Sequence, residues 1–410
     1  MLKLLLINSA LNTGSTGRIA EQTGILAKQQ GWDVYIAHGA RYTKSSALKT
    51  IRVVSKSEEI LHAIQSMTFD AHGLGSRKAT KKLVEKIKEI KPDIIHLHNI
   101  HGYYINYKIL FEYITGLDIP IVWTLHDCWT MTGHCAHFDA IGCEKWKTAC
   151  YCCPLEREYP KSVFLDRSAF NYKLKKKLFS SLKNATIVPV SKWLEGIVKE
   201  SYLKNYTVNV INNGIDITIF KPSSTKKLRE ELNIGNRFVL LAVAAQWNEK
   251  KGLYDCIKLS HKLSDEYCII MIGLEKEQIK ELPNNIIAIE RTENQAQLAE
   301  FYSMADVLVN PTYNDTFPTV NLEAQACGTP VVTYRTGGSP ESLTEDTGIV
   351  VDKGNFEQLV QAIETIKKNG KQHYSAACRE RAVNFYNKDD RFKEYIELYN
   401  SLAIQNKNAL

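Results

Sequence analysis

Asn310-Pro311-Thr312-Tyr313-Asn314-Asp315-Thr316-Phe317-Pro318-Thr319-Val320-Asn321-Leu322-Glu323-Ala324-Gln325-Ala326-Cys327-Gly328-Thr329-Pro330 joins the end of an apolar run, 307–310, to a second apolar run that starts at Val331. Runs of this length bounded by turn residues read as buried strands. Between them, Thr316 is placed to cap a helix that Pro318 helps to start and Gly328 closes, which leaves Glu323 within its first two turns. Two carboxylates, Asp315 and Glu323, are thereby set beside the positive end of a helix dipole. Carboxylates can hold sugar and ribose hydroxyls, and helix N–H groups can hold phosphate. Taken alone, the same stretch also fits a surface Asp beside a capped helix.

Outward from this stretch the chain alternates buried strands with helical segments, the pattern of parallel sheets covered by helices. In the first half the strands are read at 3–8, 32–37, 94–98, 121–125 and 186–189, with a Lys- and Glu-rich crossover helix at 78–90 that stops before Pro92. The second half repeats the theme at 238–244, 267–272, 286–289, 307–310 and 331–334. Between the halves lies 209–222, with Asn212-Asn213-Gly214, a Lys221-Pro222 pair and then Ser-Ser-Thr, all turn signals. At 410 residues the chain exceeds what one core usually organises. The reading is an α/β protein of two Rossmann-like, doubly wound domains facing across a cleft, over 1–220 and 221–385, with a helical segment at 386–410 that packs back on the first domain. Ligands of open parallel sheets bind beyond the carboxyl ends of the strands, so the cleft is where a ligand is expected.

The longest apolar stretches, 3–7 and 237–245, are far shorter than the roughly 20 residues of a membrane span. The first residues read as a strand rather than a signal peptide, and the protein is expected in the cytoplasm. The net charge of +7 is concentrated in Arg77-Lys78-Ala79-Thr80-Lys81-Lys82 and Tyr172-Lys173-Leu174-Lys175-Lys176-Lys177-Leu178-Phe179. These runs fit either solvated helix faces or peripheral attraction to anionic lipid on the inner face of the plasma membrane. No nucleic-acid-binding motif accompanies them.

After the first strand, Asn12-Thr13-Gly14-Ser15-Thr16-Gly17-Arg18 leads into a helix, so glycines allow close backbone approach where a helix N-terminus can meet an anion. A tight strand-to-helix turn explains the same residues. This is not the dinucleotide fingerprint, because the second strand ends Ile36-Ala37-His38-Gly39 without the ribose-binding acid, and no P-loop run occurs.

The frame Asp315-Thr316-Phe317-Pro318 through Glu323-Ala324-Gln325-Ala326-Cys327-Gly328-Thr329-Pro330-Val331-Val332 resembles the signature of the retaining glycosyltransferases of family four, the group 1 glycosyl transferases, many of which build bacterial capsule, exopolysaccharide and lipid-linked glycans. Asp315 stands where that signature has its first Glu, and Thr316 where it has Gly. Further agreement runs in order through Asp93-Ile94-Ile95-His96-Leu97-His98, Pro120-Ile121-Val122-Trp123-Thr124-Leu125-His126-Asp127, Val190-Ser191, Asn212-Asn213-Gly214-Ile215-Asp216, Lys250-Lys251-Gly252 and Gly337-Gly338-Ser339-Pro340-Glu341.

The resemblance implies the GT-B fold and a nucleoside-diphosphate sugar donor of UDP or GDP type. It implies that Glu323 holds the donor's ribose, Asp315 meets the sugar, and Lys251 with Lys250 faces the diphosphate. Phe317, Pro318 and Thr319 would line the donor site, Gly14 and Gly17 would form the phosphate-approach loop, and His126 would lie near the reactive centre. Gln246 occupies a position where the family usually has Arg, and a lysine point charge does not reproduce a bidentate guanidinium. The implied reaction is a metal-independent, same-face attack by an acceptor hydroxyl, with no cofactor for catalysis. The expected acceptor is a glycan or lipid-linked glycan. A soluble acceptor, or a catalytically weak sugar-nucleotide binding protein, are the alternatives.

Six of the ten cysteines fall in an insert at about 128–160. Cys135, Cys143, Cys150 and Cys153 offer four soft ligands for a structural zinc, reduced and partly buried thiols are a second arrangement, and disulfides or a cluster a third. His134, Cys128 and Cys152 could substitute as ligands. Because the insert follows His126, it is expected to overhang the cleft near the acceptor.

Overall fold

The computed structural model describes residues 1–409. Two parallel sheets organise the chain. The first comprises β1 Lys3–Asn8, β2 Asp33–His38, β3 Lys49–Arg52, β4 Ile94–Leu97, β5 Ile121–Leu125, β6 Ala185–Pro189 and β7 Thr207–Val208, in the order β3-β2-β1-β4-β5-β6-β7. The second comprises β8 Phe238–Val243, β9 Tyr267–Ile272, β10 Ile286–Ile289, β11 Val307–Asn310, β12 Val331–Tyr334 and β13 Gly348–Val351, in the order β10-β9-β8-β11-β12-β13.

Strands such as β1, with Leu4, Leu5, Leu6 and Ile7 all fully buried, are apolar on both faces because helices cover both. In register, Leu4 pairs with Val34 on one side and Ile94 on the other. Three strands were not read from the sequence. β3 is mostly exposed, β7 has only two residues, and β13 opens on Gly348, so none offers a continuous apolar run. The crossover helix spans Arg77–Ile90, one residue longer than expected, and ends on Lys91 in a left-handed conformation (φ 52°) just before Pro92.

The chain divides into two compact units, Met1–Asn212 together with the residues from Phe392 onward, and Asn213–Arg391. The divide between the units falls at Asn212/Asn213, a few residues before the position near 220 read from the sequence. Of the segment that looked like a linker, 209–212 stays with the first unit and the rest is packed in the second: Asn213 Nδ2 donates to the Phe317 carbonyl (3.1 Å), and Arg379 Nη1 donates to that of Phe220 (2.8 Å). A side chain at Gly214 would begin 2.5 Å from the Lys388 backbone.

The last helix, Lys388–Ala409, supplies Phe392, Tyr395, Ile396 and Tyr399 to the first unit's core beside Leu4, Leu6 and Ile94. The Tyr399 hydroxyl bonds His96 Nδ1 (2.5 Å), and His96 Nε2 bonds Thr124 Oγ1 (2.8 Å), so the buried imidazole has a partner on each nitrogen. The second core is built around Leu240, Met271, Val307, Val332 and Ile363. Among the described residues no helix is long and apolar enough to cross a membrane.

Candidate functional site

In the second sheet, β8 and β11 are neighbours from which the chain departs in opposite directions, to β9 and to β12. Such a switch point leaves an opening beyond the strand ends where two loops diverge. The loop after β8 ends in a short helical turn, Glu249–Lys251, whose first residue is preceded by Asn248; Asn248 Oδ1 accepts from Lys251 N (3.1 Å). The loop after β11 is fastened to it, with Tyr313 N donating to the Lys250 carbonyl (2.7 Å). Gly252 makes the approach feasible: it has φ +78°, and any Cβ there would lie 2.3 Å from the Pro311 carbonyl oxygen.

This apposition brings Lys251 and Asp315 together. Lys251 Nζ lies 2.8 Å from Asp315 Oδ2 and donates to the Asn314 carbonyl at 3.3 Å. An ammonium has three donors, so one remains to point elsewhere. Asp315 Oδ1 accepts from Phe317 N (3.2 Å), and the Asp315 carbonyl accepts from Gly338 N (3.2 Å). The carboxylate is thus fixed at both of its oxygens and through its own backbone.

The helix that follows is Thr319–Ala326, preceded by Pro318 at the N-cap position with no side-chain cap. The expected cap, Thr316, is instead buried (6% exposed), because Asp315 and Pro318 between them set the turn and place the helix start three residues later. Glu323, in the helix's second turn, accepts a hydrogen bond from the Tyr302 hydroxyl (2.8 Å). Burial and the neighbouring carboxylate push the Tyr302 phenol well above its usual value, so it is a permanent donor. Asn321 anchors the same helix to Asn310 (2.8 Å) and to Ser342 (3.0 Å).

The remaining residues expected here differ in what they present. Phe317 packs its ring against Tyr386 and Pro318 is buried, so both contribute mainly through the backbone, while Thr319 is half-buried. Gln246 is exposed and its amide donates to Glu275 Oε1 (3.2 Å). Lys250 is half-buried, and its carbonyl is the acceptor that fastens the two loops.

In the first unit the corresponding switch point lies between β1 and β4. Gly14 opens the helix Gly14–Gln29 with φ +65°, and Thr13 before it makes no side-chain cap, which leaves first-turn N–H groups without that partner. Gly17 is there for packing, since a Cβ would sit 3.2 Å from that of Ala10.

His126, just beyond β5, bonds His98 through Nε2 (3.1 Å to Nδ1) with the rings stacked at 5.4 Å. Its edge reaches the surface, but protein atoms surround the rest of the ring, and burial lowers its pKa to about 4, against a partly opposing pull from Asp127. His126 is therefore neutral at pH 7. Asp127 accepts from Trp129 N (2.9 Å) and meets His101 Nε2 (2.8 Å), whose other nitrogen bonds the Tyr159 hydroxyl (2.9 Å). Burial would raise the Asp127 carboxyl, but the charge and hydrogen bond of His101 outweigh it and hold the group below the usual carboxylate range. No sequence motif announced the pairings of Tyr302 or His101.

Cys135, Cys143, Cys150 and Cys153, with His134, line one cavity of about 20 Å³. All ten cysteines are free thiols. The Cys135 and Cys153 sulfurs are hydrogen-bonded; this contact brings Cys153 down to about 7 against the effect of burial, and together with burial holds Cys135 well above the ordinary thiol. His134 Nδ1 is engaged by Asp70 (2.6 Å). Among the described residues no three His, Cys, Asp or Glu side chains are grouped at the spacing of a formed metal site. The basic run at 172–179 is not uniformly solvated either. Lys175 is buried, donates to the Trp129 and Thr132 carbonyls (2.8 and 3.2 Å), and is lowered by burial to about 7.

Two parallel sheets of this topology, each with glycine-bordered loops at its switch point, are the architecture of the GT-B fold. Residues 19–219 match Glycosyltransferase Family 4 and residues 224–385 match Glycosyl transferases group 1, and the chain belongs to this family. Over 325 residues it is 25% identical to the putative colanic acid biosynthesis glycosyl transferase WcaC of Escherichia coli, covering 76% of this chain and 77% of that protein. Among solved structures, sucrose-phosphate synthase from Thermosynechococcus elongatus superposes with a TM-score of 0.72 at 18% identity, covering 98% of this chain and 99% of the other. Anabaena HepE in complex with UDP-glucose gives 0.67 at 16% identity, covering 98% and 100%.

Proposed function

We propose that the protein transfers a sugar from a UDP-type nucleotide sugar, with retention of configuration, to a hydroxyl of a lipid-linked glycan during synthesis of a bacterial surface polysaccharide. The observation that carries this reading is the Lys251–Asp315 pair set at the β8/β11 switch point and followed by the Tyr302-held Glu323. Similarity to WcaC supports the pathway class, and the UDP-glucose complex of HepE supports the donor class.

In this reading Glu323 accepts from the ribose hydroxyls and Asp315 from a sugar hydroxyl. The bond from the anomeric carbon to the diphosphate breaks with its electron pair leaving on phosphate. The remaining Lys251 donor and the N–H groups at the start of Thr319–Ala326 stabilise that charge, without a metal being required. The acceptor oxygen attacks from the face the diphosphate leaves, and its proton passes to the departing phosphate oxygen. Neutral His126 serves as a hydrogen-bond partner rather than a counter-charge.

The test is thermal unfolding with UDP, GDP, ADP and CMP. A ligand at one hundred times its dissociation constant adds about 2.7 kcal/mol, and for a unit of this size each kcal/mol is worth about 2–4 °C. UDP is expected to raise the melting temperature by several degrees and to lose that effect in Glu323→Ala. No shift with any diphosphate would overturn the reading.

We also propose that Cys135, Cys143, Cys150 and Cys153 converge on one structural zinc ion. Their shared cavity supports this, being about the size of a single small occupant.

A further inference from the structure

The helix Lys56–Phe69 in the first unit is turned inside out. Its polar side chains Glu59, His62 and Ser66 are buried at 3%, 2% and 1% exposure. Glu59 Oε2 accepts from the backbone of Ala40 (2.8 Å) and Arg41 (3.1 Å), and His62 bonds Gly75 N (3.0 Å) and Ser76 Oγ (2.9 Å). The outward stripe, at helical spacing, is Ile60, Leu61, Ile64 and Met67, exposed by 46%, 65%, 54% and 37%. A helix lying on a water-facing surface shows the opposite arrangement.

The apolar surface continues beyond the helix. Val163 N donates to the Met67 carbonyl (2.8 Å), while Asp70 accepts from Arg167 N (2.7 Å) and Asn171 Nδ2 (2.8 Å). These bonds pin the segment 163–170 beside the helix's C-terminal end, where Phe69 is half exposed. That segment presents Val163, Phe164, Leu165 and Phe170, with Phe164 75% exposed. Single exposed apolar residues are ordinary, but a contiguous set marks an interaction surface.

The rim of the patch is cationic. Besides the buried Lys175, six Lys or Arg and two acidic residues lie between positions 157 and 177. Lys161, Lys173, Lys176 and Lys177 are exposed, and the Arg167 guanidinium lies 4.4 Å over the Phe170 ring. One of the two acids, Asp166, accepts from the N–H groups of Cys153 and Ser168 (2.5 and 2.7 Å).

We propose that this face, the stripe of helix Lys56–Phe69 with the loop 163–170, docks on the surface of an anionic lipid bilayer. Aliphatic and aromatic side chains enter the boundary with the acyl chains, and the lysines and arginine meet the headgroups. A second copy of the chain is the less complementary occupant, because a two-fold interface would set the same cationic rim against itself. The proposal rests on the reading that the acceptor is lipid-linked and names the surface that brings the enzyme to it.

The experiment is co-sedimentation of the full chain with phosphatidylcholine vesicles and with vesicles containing a third phosphatidylglycerol. Binding to the anionic vesicles, weakened by salt, is expected, with little binding to the neutral ones. Leu61→Ser and Phe164→Ser alter exposed side chains and leave the fold intact; each is expected to weaken binding roughly tenfold, the worth of burying one such side chain. The proposal is overturned if the wild type does not bind anionic vesicles, if the double variant binds as the wild type does, or if the wild type is a lipid-free dimer that the variants dissociate. A chain that binds vesicles but shows no diphosphate-dependent melting shift would sink the proposed function and leave the docking surface standing. The converse result would sink only the surface.

Discussion

Lowering the pH from 7.5 to 5.5 should destabilise the first unit strongly. His62 and His126 are each lowered by burial to about 4, and His72, His96 and His98 are driven well below the ordinary value by burial and by the charge of neighbouring histidines. A histidine whose folded pKa lies under its unfolded value takes up a proton on unfolding. Stability is then whole above pH 6.5 and is lost as pH falls toward the folded value. For a shift from about 6.5 to about 4, the loss at pH 5.5 is about 1.4 kcal/mol per histidine, so His62 and His126 together remove about 3 kcal/mol. His72, His96 and His98 add to this. Two groups oppose it: His134, raised by Asp70 against burial, and Glu59, raised by burial, both bind protons more tightly in the folded state.

His62 supplies a structural check on the sign. Gly75 N donates to its Nε2, so the proton of the neutral ring is on Nδ1, and protonating Nε2 would break a buried contact. The assay is urea unfolding followed by tryptophan fluorescence, because Trp32, Trp123, Trp129, Trp146 and Trp193 lie in the first unit and only Trp247 in the second. A urea midpoint that stays constant or rises between pH 7.5 and 5.5 would refute the reasoning, as would NMR titration of His62 near 6.5 in the native protein.

Two further outcomes follow from close contacts and from the thiols. Gly337→Ala should shift the Asp315 loop, since a Cβ there would lie 1.8 Å from the Asp315 carbonyl oxygen at φ +52°; several degrees of lost melting temperature and loss of the UDP effect are expected, and an unchanged UDP response would contradict the clamp. Metal analysis of the purified protein should find one zinc per chain, lost in Cys150→Ser with Cys153→Ser; metal-free protein with four freely titrating thiols would withdraw the zinc proposal.

The strands with continuous apolar runs, β1 and β9, were legible because burial on both faces leaves no internal polar position to confuse the pattern. β13 was not, because its place beside β12 comes from tertiary pairing and its sequence opens on a glycine. The loop and helix that carry Asp315 and Glu323 were legible from the turn residues around Pro318, and their roles only from the family resemblance. Their partners were not: Tyr302 reaches Glu323 from the preceding helix, and the Lys251–Asp315 contact spans two loops that only the sheet brings side by side. The helix Lys56–Phe69 shows the limit of periodicity, which reveals an apolar stripe but not which way the stripe faces. Its direction was decided by the hydrogen bonds of Glu59 and His62.

The second unit is one uninterrupted stretch of chain, whereas the first needs Phe392, Tyr395, Ile396 and Tyr399 to fill the space beside β1 and β4. On the ribosome, the first half to be synthesised is therefore the last to be finished. A nascent chain arrested after Arg391 would hold a completable second unit and a first unit with an open hydrophobic slot and a His96 that keeps Thr124 but lacks Tyr399, a species that chaperones rather than its own contacts must shelter until the helix Lys388–Ala409 emerges.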